Sequence, residues 1–270
     1  MVRVEKESSV WTIIHSRFDE ARNAMDPESA DALVAAFKEF DLDKSASVAV
    51  LWGEGGAFCA GWDLKFASTL SDRDTFRRDV VEGLAFPTGS NNPPRGPLGP
   101  TRLELSKPVI AAVEGPAVAG GMELALWCDI RVMAENAYFG VYCRRWGIPL
   151  LDGGSVRLAR LVGQGRAMEI ILTGRKVTSA EALRIGMCEK VVERGDARAA
   201  AEEMAREITR FPQAAVRADR RSVIETYGLQ IRDAMHAEWV NGVEAHFEEG
   251  AAGAGRFASG LGRHGDFTTI

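Results

Sequence analysis

Cysteine and histidine are scarce in this 270-residue chain, with four of each. Cys59, Cys128, Cys143 and Cys188 form no C-x-x-C pair. That excludes a zinc ribbon or a dithiol redox motif and leaves reduced, buried thiols of a cytoplasmic protein as the expectation. His15, His236, His246 and His264 are scattered, so no metal site is expected. Long apolar runs are missing too. Runs such as Pro108–Val113 fall far short of the roughly 20 residues of a membrane span. The opening MVRVEKESS has no apolar core of the kind a secretory signal needs. Charge of one sign is not concentrated anywhere: the net charge is −5, with acids and bases mixed along the chain. No basic stripe points to nucleic acid, and no polybasic cluster points to a membrane surface.

What is present is ample apolar material, 46% of the residues, enough for a sizeable core. Val2–Lys6 and Val10–His15 alternate apolar and polar residues around Glu7-Ser8-Ser9, a hairpin pattern. Asp26-Pro27 reads as a helix N-cap followed by proline at the first helical position. Ala30, Leu33, Val34, Phe37 and Phe40 follow at helical spacing. Ser47–Trp52 and Pro108–Val113 read as buried strands. A polar helix is predicted near 71–84. Pro87–Pro100, with five prolines and three glycines, reads as a mobile loop. Gly120 onward is helical, Ile130–Ala134 a strand, and Ser155–Val162 and Arg166–Leu172 helices. Thr178 and Glu181 form a capping box, and Cys188–Val192 is the last strand. Beyond Ala197 only helical patterns remain, at Ala197–Thr209, Ala214–Tyr227 and Ile231–Phe247. The expectation is an α/β core over 1–195 and a helical region over 196–270. The helical region must pack on the core or on another subunit.

One stretch asks for a chemical reason. GPAVAGGMELALWCDI, residues 115–130, sets the acid Glu123 within an apolar run behind Gly120 and Gly121. A glycine pair between a strand and a helix lets backbone approach a ligand closely. The first N–H groups of the helix have no internal partner and carry the positive end of its dipole. They would stabilise an oxygen gaining negative charge, an effect worth about 10²–10³ in rate per donor. A second glycine-bearing turn, AFCAGWDLK at 57–65, offers another such N–H. Two donors on one oxygen make an oxyanion hole, which needs an acyl group to act on. As a first-turn acid Glu123 could also serve only to compensate the dipole.

These two segments, GAFCAGWDLK (56–65) and KPVIAAVEGPAVAGGMELALWCDIRVMAENAYFG (107–140), resemble the crotonase, or enoyl-CoA hydratase/isomerase, superfamily. ARNAMD (21–26), GGSVRLARLVG (153–163) and LTGRKVTSAEALRIGMCEKVV (172–192) extend the resemblance in order. It implies a spiral of strand-strand-helix repeats with a helical C-terminal region, assembled as trimers or pairs of trimers. It implies an acyl-CoA thioester as substrate, with coenzyme A entering as part of that substrate and no separate cofactor. The thioester oxygen would lie between the backbone amides of Trp62 and Gly120. Ala24 falls in the segment that meets the adenine. Ala60, Asp63, Leu64 and Lys65 fall in the segment that lines the CoA site, with Lys65 placed to approach the phosphates. Glu123 matches one of the two glutamates that hydratases aim at a single water.

The pattern breaks at the second glutamate. After Phe139-Gly140 the chain reads Val141-Tyr142-Cys143-Arg144-Arg145, and Cys143 stands where the resemblance places that acid. A thiol has a reference pKa of about 8.5 and positions water poorly. Asp152, in a loop that lines the site in relatives, is one substitute. Tyr142 is another, and so is Cys143 itself if Arg144 and Arg145 favour its thiolate. Asp152 could equally cap the helix that follows, and Cys143 could be packing alone. Trp62, where relatives carry a smaller residue, should narrow the acyl pocket. Hydration of a trans-2-enoyl-CoA is the expected reaction. Double-bond isomerisation, or binding of an acyl-CoA without turnover, are the alternatives.

Overall fold

Among the described residues, nine strands in two sheets carry the site. The computed structural model describes residues 1–70, 72–87 and 93–265. The large sheet has the order β1-β2-β3-β4-β6-β9. Its strands are β1 (Val2–Glu7), β2 (Val10–His15), β3 (Val48–Gly53), β4 (Val109–Val113), β6 (Ile130–Ala134) and β9 (Lys190–Val192). β1 pairs antiparallel with β2, and every later pairing in this sheet is parallel. The small sheet joins β5 (Pro116–Val118), β7 (Tyr138–Gly140) and β8 (Lys176–Thr178) in the order β5-β7-β8.

A parallel sheet needs cover on both faces, and the alternation along β4 shows how it is supplied. Val109, Ala111 and Val113 belong to the main core with Leu33, Phe37 and Phe40 of the Pro27–Leu42 helix. Ile110 and Ala112 face the other way, to a second cluster with Val48, Val50, Val132, Ala201 and Ala205. The Ala197–Thr209 helix thus lies directly on the sheet. Small side chains at 201 and 205 allow that close packing. Asp26 caps the Pro27 helix through the Ser29 amide at 2.8 Å, and Thr178 caps Ser179–Arg184 through the Glu181 amide at 3.3 Å.

Several expectations change in detail. The helix expected near 71–84 is broken into Arg73–Phe76 and a π-type segment Arg77–Glu82, after a separate helix Leu64–Thr69; Ser71 lies outside the described residues. The last long helix runs Ile231–Ala258, well past Phe247. Of the loop expected to be mobile, residues 88–92 lie outside the described residues, while 93–100 are tightly folded onto the core, with Leu98 only 2% exposed. Four free cysteines are all buried. Among the described residues no helix is long and apolar enough to cross a membrane, and no cluster of His, Cys, Asp and Glu could hold a metal ion.

Candidate active site

The site forms where the two sheets meet. The turn after β3 is zipped to β5: the Phe58 amide donates to the Pro116 carbonyl at 3.0 Å, and the Val118 amide to the Cys59 carbonyl at 3.0 Å. This brings the turn against the N-terminus of the Gly120–Trp127 helix. Contact is so close that a Cβ on Gly121 would collide with the Cys59 carbonyl oxygen. A Cβ on Gly61, whose φ is +93°, would lie 3.0 Å from the Gly120 nitrogen. Ala119 holds φ +55° and ψ −127° at the same junction, a strained conformation for a residue with a Cβ.

The Trp62 N–H is released by an unusual pairing. Met25 donates to the Gly61 carbonyl at 2.7 Å and accepts from the Asp63 amide at 2.9 Å, leaving the amide between them unused. The Gly120 N–H opens a helix. Among the described residues, neither amide donates to a protein acceptor. The unpaired Gly120 N–H opens a helix, where negative charge is stabilised, and Trp62 directly follows Gly61, whose contact with the Gly120 nitrogen holds the turn against that helix.

Glu123 sits one turn further into the helix, 2% exposed. Its Oε1 accepts from the Asp152 amide at 2.9 Å and the Gly154 amide at 2.8 Å. Burial, reinforced by the charge of Asp152, raises its pKa to about 7. Asp152 is 3% exposed, and burial raises its pKa as well. Its Oδ1 accepts from the Leu98 amide at 3.1 Å and from the Thr101 hydroxyl. Each acid thus has one oxygen pinned by donors. The second oxygens, Oε2 and Oδ2, accept no hydrogen bond among the described residues.

Cys143 is 7% exposed in the turn Tyr142–Trp146. Burial and the nearby charge of Glu123 push its thiol up, and Arg144 offsets only part of this. The thiolate considered from the sequence is therefore disfavoured. Arg145 stacks on the Tyr142 ring at 4.3 Å. The carboxylate of Asp63 is committed to structure. It caps Leu64–Thr69 through the Lys65 and Phe66 amides at 2.9 and 3.2 Å, and pairs with Arg17 at 3.1 Å. Lys65 reaches the Glu20 carbonyl at 3.3 Å from an exposed position. Leu64 is exposed and Ala60 half-buried. Ala24 is buried, and its carbonyl accepts from Arg17 at 2.7 Å. The Trp62 ring packs 6.4 Å from Phe76. Sequence reasoning missed Leu98, Thr101 and Arg157. Arg157 donates to the Asp152 and Thr101 carbonyls, each at 2.8 Å. Only its place in GGSVRLARLVG marked it.

Comparison with known proteins identifies the family. The profile of the enoyl-CoA hydratase/isomerase family matches residues 5–86 and 101–253. Enoyl-CoA hydratase EchA19 of Mycobacterium tuberculosis is 35% identical over 238 residues, covering 86% of this chain and 83% of its own length. A short-chain-enoyl-CoA hydratase of Clostridium acetobutylicum is 36% identical over 224 residues, covering 82% of this chain and 80% of its own. The crystal structure of enoyl-CoA hydratase EchA1 from Mycobacterium marinum superimposes with a TM-score of 0.82 at 33% identity, covering 96% of this chain and 95% of that one. A matched profile over most of the length, relatives of the same kind and a shared fold agree, and the chain belongs to the enoyl-CoA hydratase/isomerase family.

Proposed function

We propose that the protein hydrates trans-2-enoyl-CoA thioesters, with Trp62 and Gly120 as oxyanion donors and Glu123 and Asp152 as the acid–base pair. The observation that carries this reading is a buried carboxylate, Glu123, one helical turn from the unpaired Gly120 amide and hydrogen-bonded to the backbone of a second buried acid, Asp152. Family membership and relatives named enoyl-CoA hydratases support the substrate class.

Two neighbouring carboxyl groups each disfavour ionisation of the other, so near neutral pH such a pair holds one proton. Hydration needs that state. The ionised member takes a proton from water as the hydroxyl adds to Cβ. The electrons of the double bond move onto the thioester oxygen, where the two amides hold the developing charge. The protonated member then delivers its proton to Cα. Glu123, raised to about 7, is the member that carries the shared proton, and Asp152 carries the charge. No cofactor enters beyond the CoA of the substrate. Loss of the conjugated-enoyl absorbance of crotonyl-CoA tests the activity. Turnover of a 3-enoyl-CoA without hydration would assign isomerisation instead. Tight binding of both thioesters with turnover of neither would make the protein a binder.

The pairing has a measurable sign. Asp152→Asn removes the charge that helps raise Glu123, so the Glu123 titration falls from about 7 towards the ordinary carboxylate range. Carbon NMR of labelled glutamate reads this directly. An unchanged midpoint would show that the two acids do not share a proton.

The assembly in this reading is a homotrimer or a pair of trimers, and the compartment is the cytoplasm. The Ile231–Ala258 helix exposes Ile231, Met235, Trp239 and Phe247 at 64–79%, an apolar stripe that water penalises until another subunit covers it. Sedimentation equilibrium should give a trimer or hexamer mass, and Trp239→Asp should lower it. A monomeric wild type would contradict the assembly.

A further inference from the structure

Residues 87–100 fall between the two segments that the family profile matches, yet the described part of this strap is bound to the site. Gly96 and Gly99 close a tight loop by exchanging backbone hydrogen bonds at 3.0 and 2.9 Å. Arg95 pairs with Asp31 of the Pro27 helix. Arg102 anchors the other side through the Leu84 carbonyl at 2.7 Å. Leu98 lies over the Gly120 backbone, where a Cβ would strike its side chain. Thr101, 1% exposed, directly follows the strap and opens the second matched segment.

Two polar groups of this segment meet on one atom. The Leu98 amide at 3.1 Å and the Thr101 hydroxyl meet on Asp152 Oδ1. Arg157 ties the two sides together from behind, donating to the Asp152 and Thr101 carbonyls at 2.8 Å each. With Oδ1 occupied twice, the carboxylate is locked in one orientation and Oδ2 is the oxygen left to act. The position where the family resemblance calls for a second acid holds Cys143 instead, a protonated thiol. We infer that Thr101 is a positioning residue: with the Leu98 amide, it aims Asp152 Oδ2 at the reacting carbons, so that the strap equips an aspartate to replace the missing glutamate. This rests on the reading of Asp152 as one of the acid–base pair.

The Thr101 bond also favours the ionised form of Asp152, opposing the effect of burial. Its loss therefore moves the Asp152 titration to higher pH. That shift separates positioning from mere packing.

The experiment is a pH profile of kcat for crotonyl-CoA hydration by Thr101→Val, Thr101→Ser and Asp152→Asn. Valine keeps the shape of threonine and removes the hydroxyl. Thr101→Val should lose about tenfold to a hundredfold in kcat with KM within about twofold, and its Asp152 limb should move to higher pH; both effects follow from the loss of one aligned hydrogen bond to a charged group. Thr101→Ser should restore both. Asp152→Asn combined with Thr101→Val should lose no more than Asp152→Asn alone. If Thr101→Val lowers only the melting temperature and keeps the wild-type kcat and pH limb while Asp152→Asn is inactive, the positioning role is overturned and the pair stands. If Asp152→Asn itself keeps wild-type kcat, the pair falls, and the role of Thr101 with it.

Discussion

Glu123→Gln lowers kcat for enoyl-CoA hydration by about 10²–10⁴, the usual loss when a positioned acid–base group is removed. The substitution is conservative in every other respect. Glutamine keeps the carbonyl-type oxygen that accepts from the Asp152 and Gly154 amides. It also removes a carboxyl whose ionised form is penalised by burial, the first cause of its raised pKa. The sign of the stability change follows. The penalty is absent below the reference pKa, where folded and unfolded states are both protonated. It grows as pH rises from 4.5 towards about 7 and is complete above that. The variant should therefore match or exceed the wild type in thermal stability at pH 8, with KM little changed. Loss of kcat in a protein that is no less stable is the expected result from steady-state kinetics and melting curves. Wild-type turnover would remove Glu123 from the chemistry and leave it as a structural acid.

Gly121→Ala should damage both the fold and the reaction. The added Cβ would strike the Cys59 carbonyl oxygen and lie 2.9 Å from the Cys59 side chain. The obstacle is backbone, zipped to β5, and cannot rotate away. Either the 57–62 turn withdraws or the helix tilts. Each response separates the Trp62 and Gly120 amides. Overpacking of this kind costs about 1–3 kcal/mol, and losing one oxyanion donor costs about 10²–10³ in kcat. Gly120→Ala meets the Leu98 side chain rather than backbone, so its cost to folding should be smaller. Gly165→Ala, with nothing within 4 Å of the new Cβ, is the control and should leave both quantities unchanged. A Gly121→Ala protein with wild-type kcat would show that the close approach of helix and turn is not needed.

What the sequence made legible is what local physics controls. The hairpin, the Asp26 and Thr178 caps and the all-apolar β4 each follow from a handful of neighbouring residues. β5, β7 and β8 span three residues each, too few for a periodicity to register, so the small sheet was invisible. The final helix continues through Gly250, Gly253 and Gly255, residues whose low helix propensity argued for an earlier end. At the site, Glu123 stood out because an acid inside an apolar run needs a reason. Asp63, expected in the CoA-lining segment, also stands directly before a helix, where aspartate is a common cap. Thr101 and Leu98 gave no signal. Their role depends on a strap folding back across 51–54 positions of sequence to Asp152, which no local pattern encodes.

The central claim is that two main-chain amides hold a thioester oxygen beside a pair of acids. A crystal structure of the protein with a saturated acyl-CoA tests it most directly. The thioester oxygen should lie about 2.7–3.1 Å from both the Trp62 and Gly120 nitrogens, with Glu123 Oε2 and Asp152 Oδ2 flanking the α and β carbons. A thioester bound elsewhere, or an oxygen held by neither amide, would contradict it.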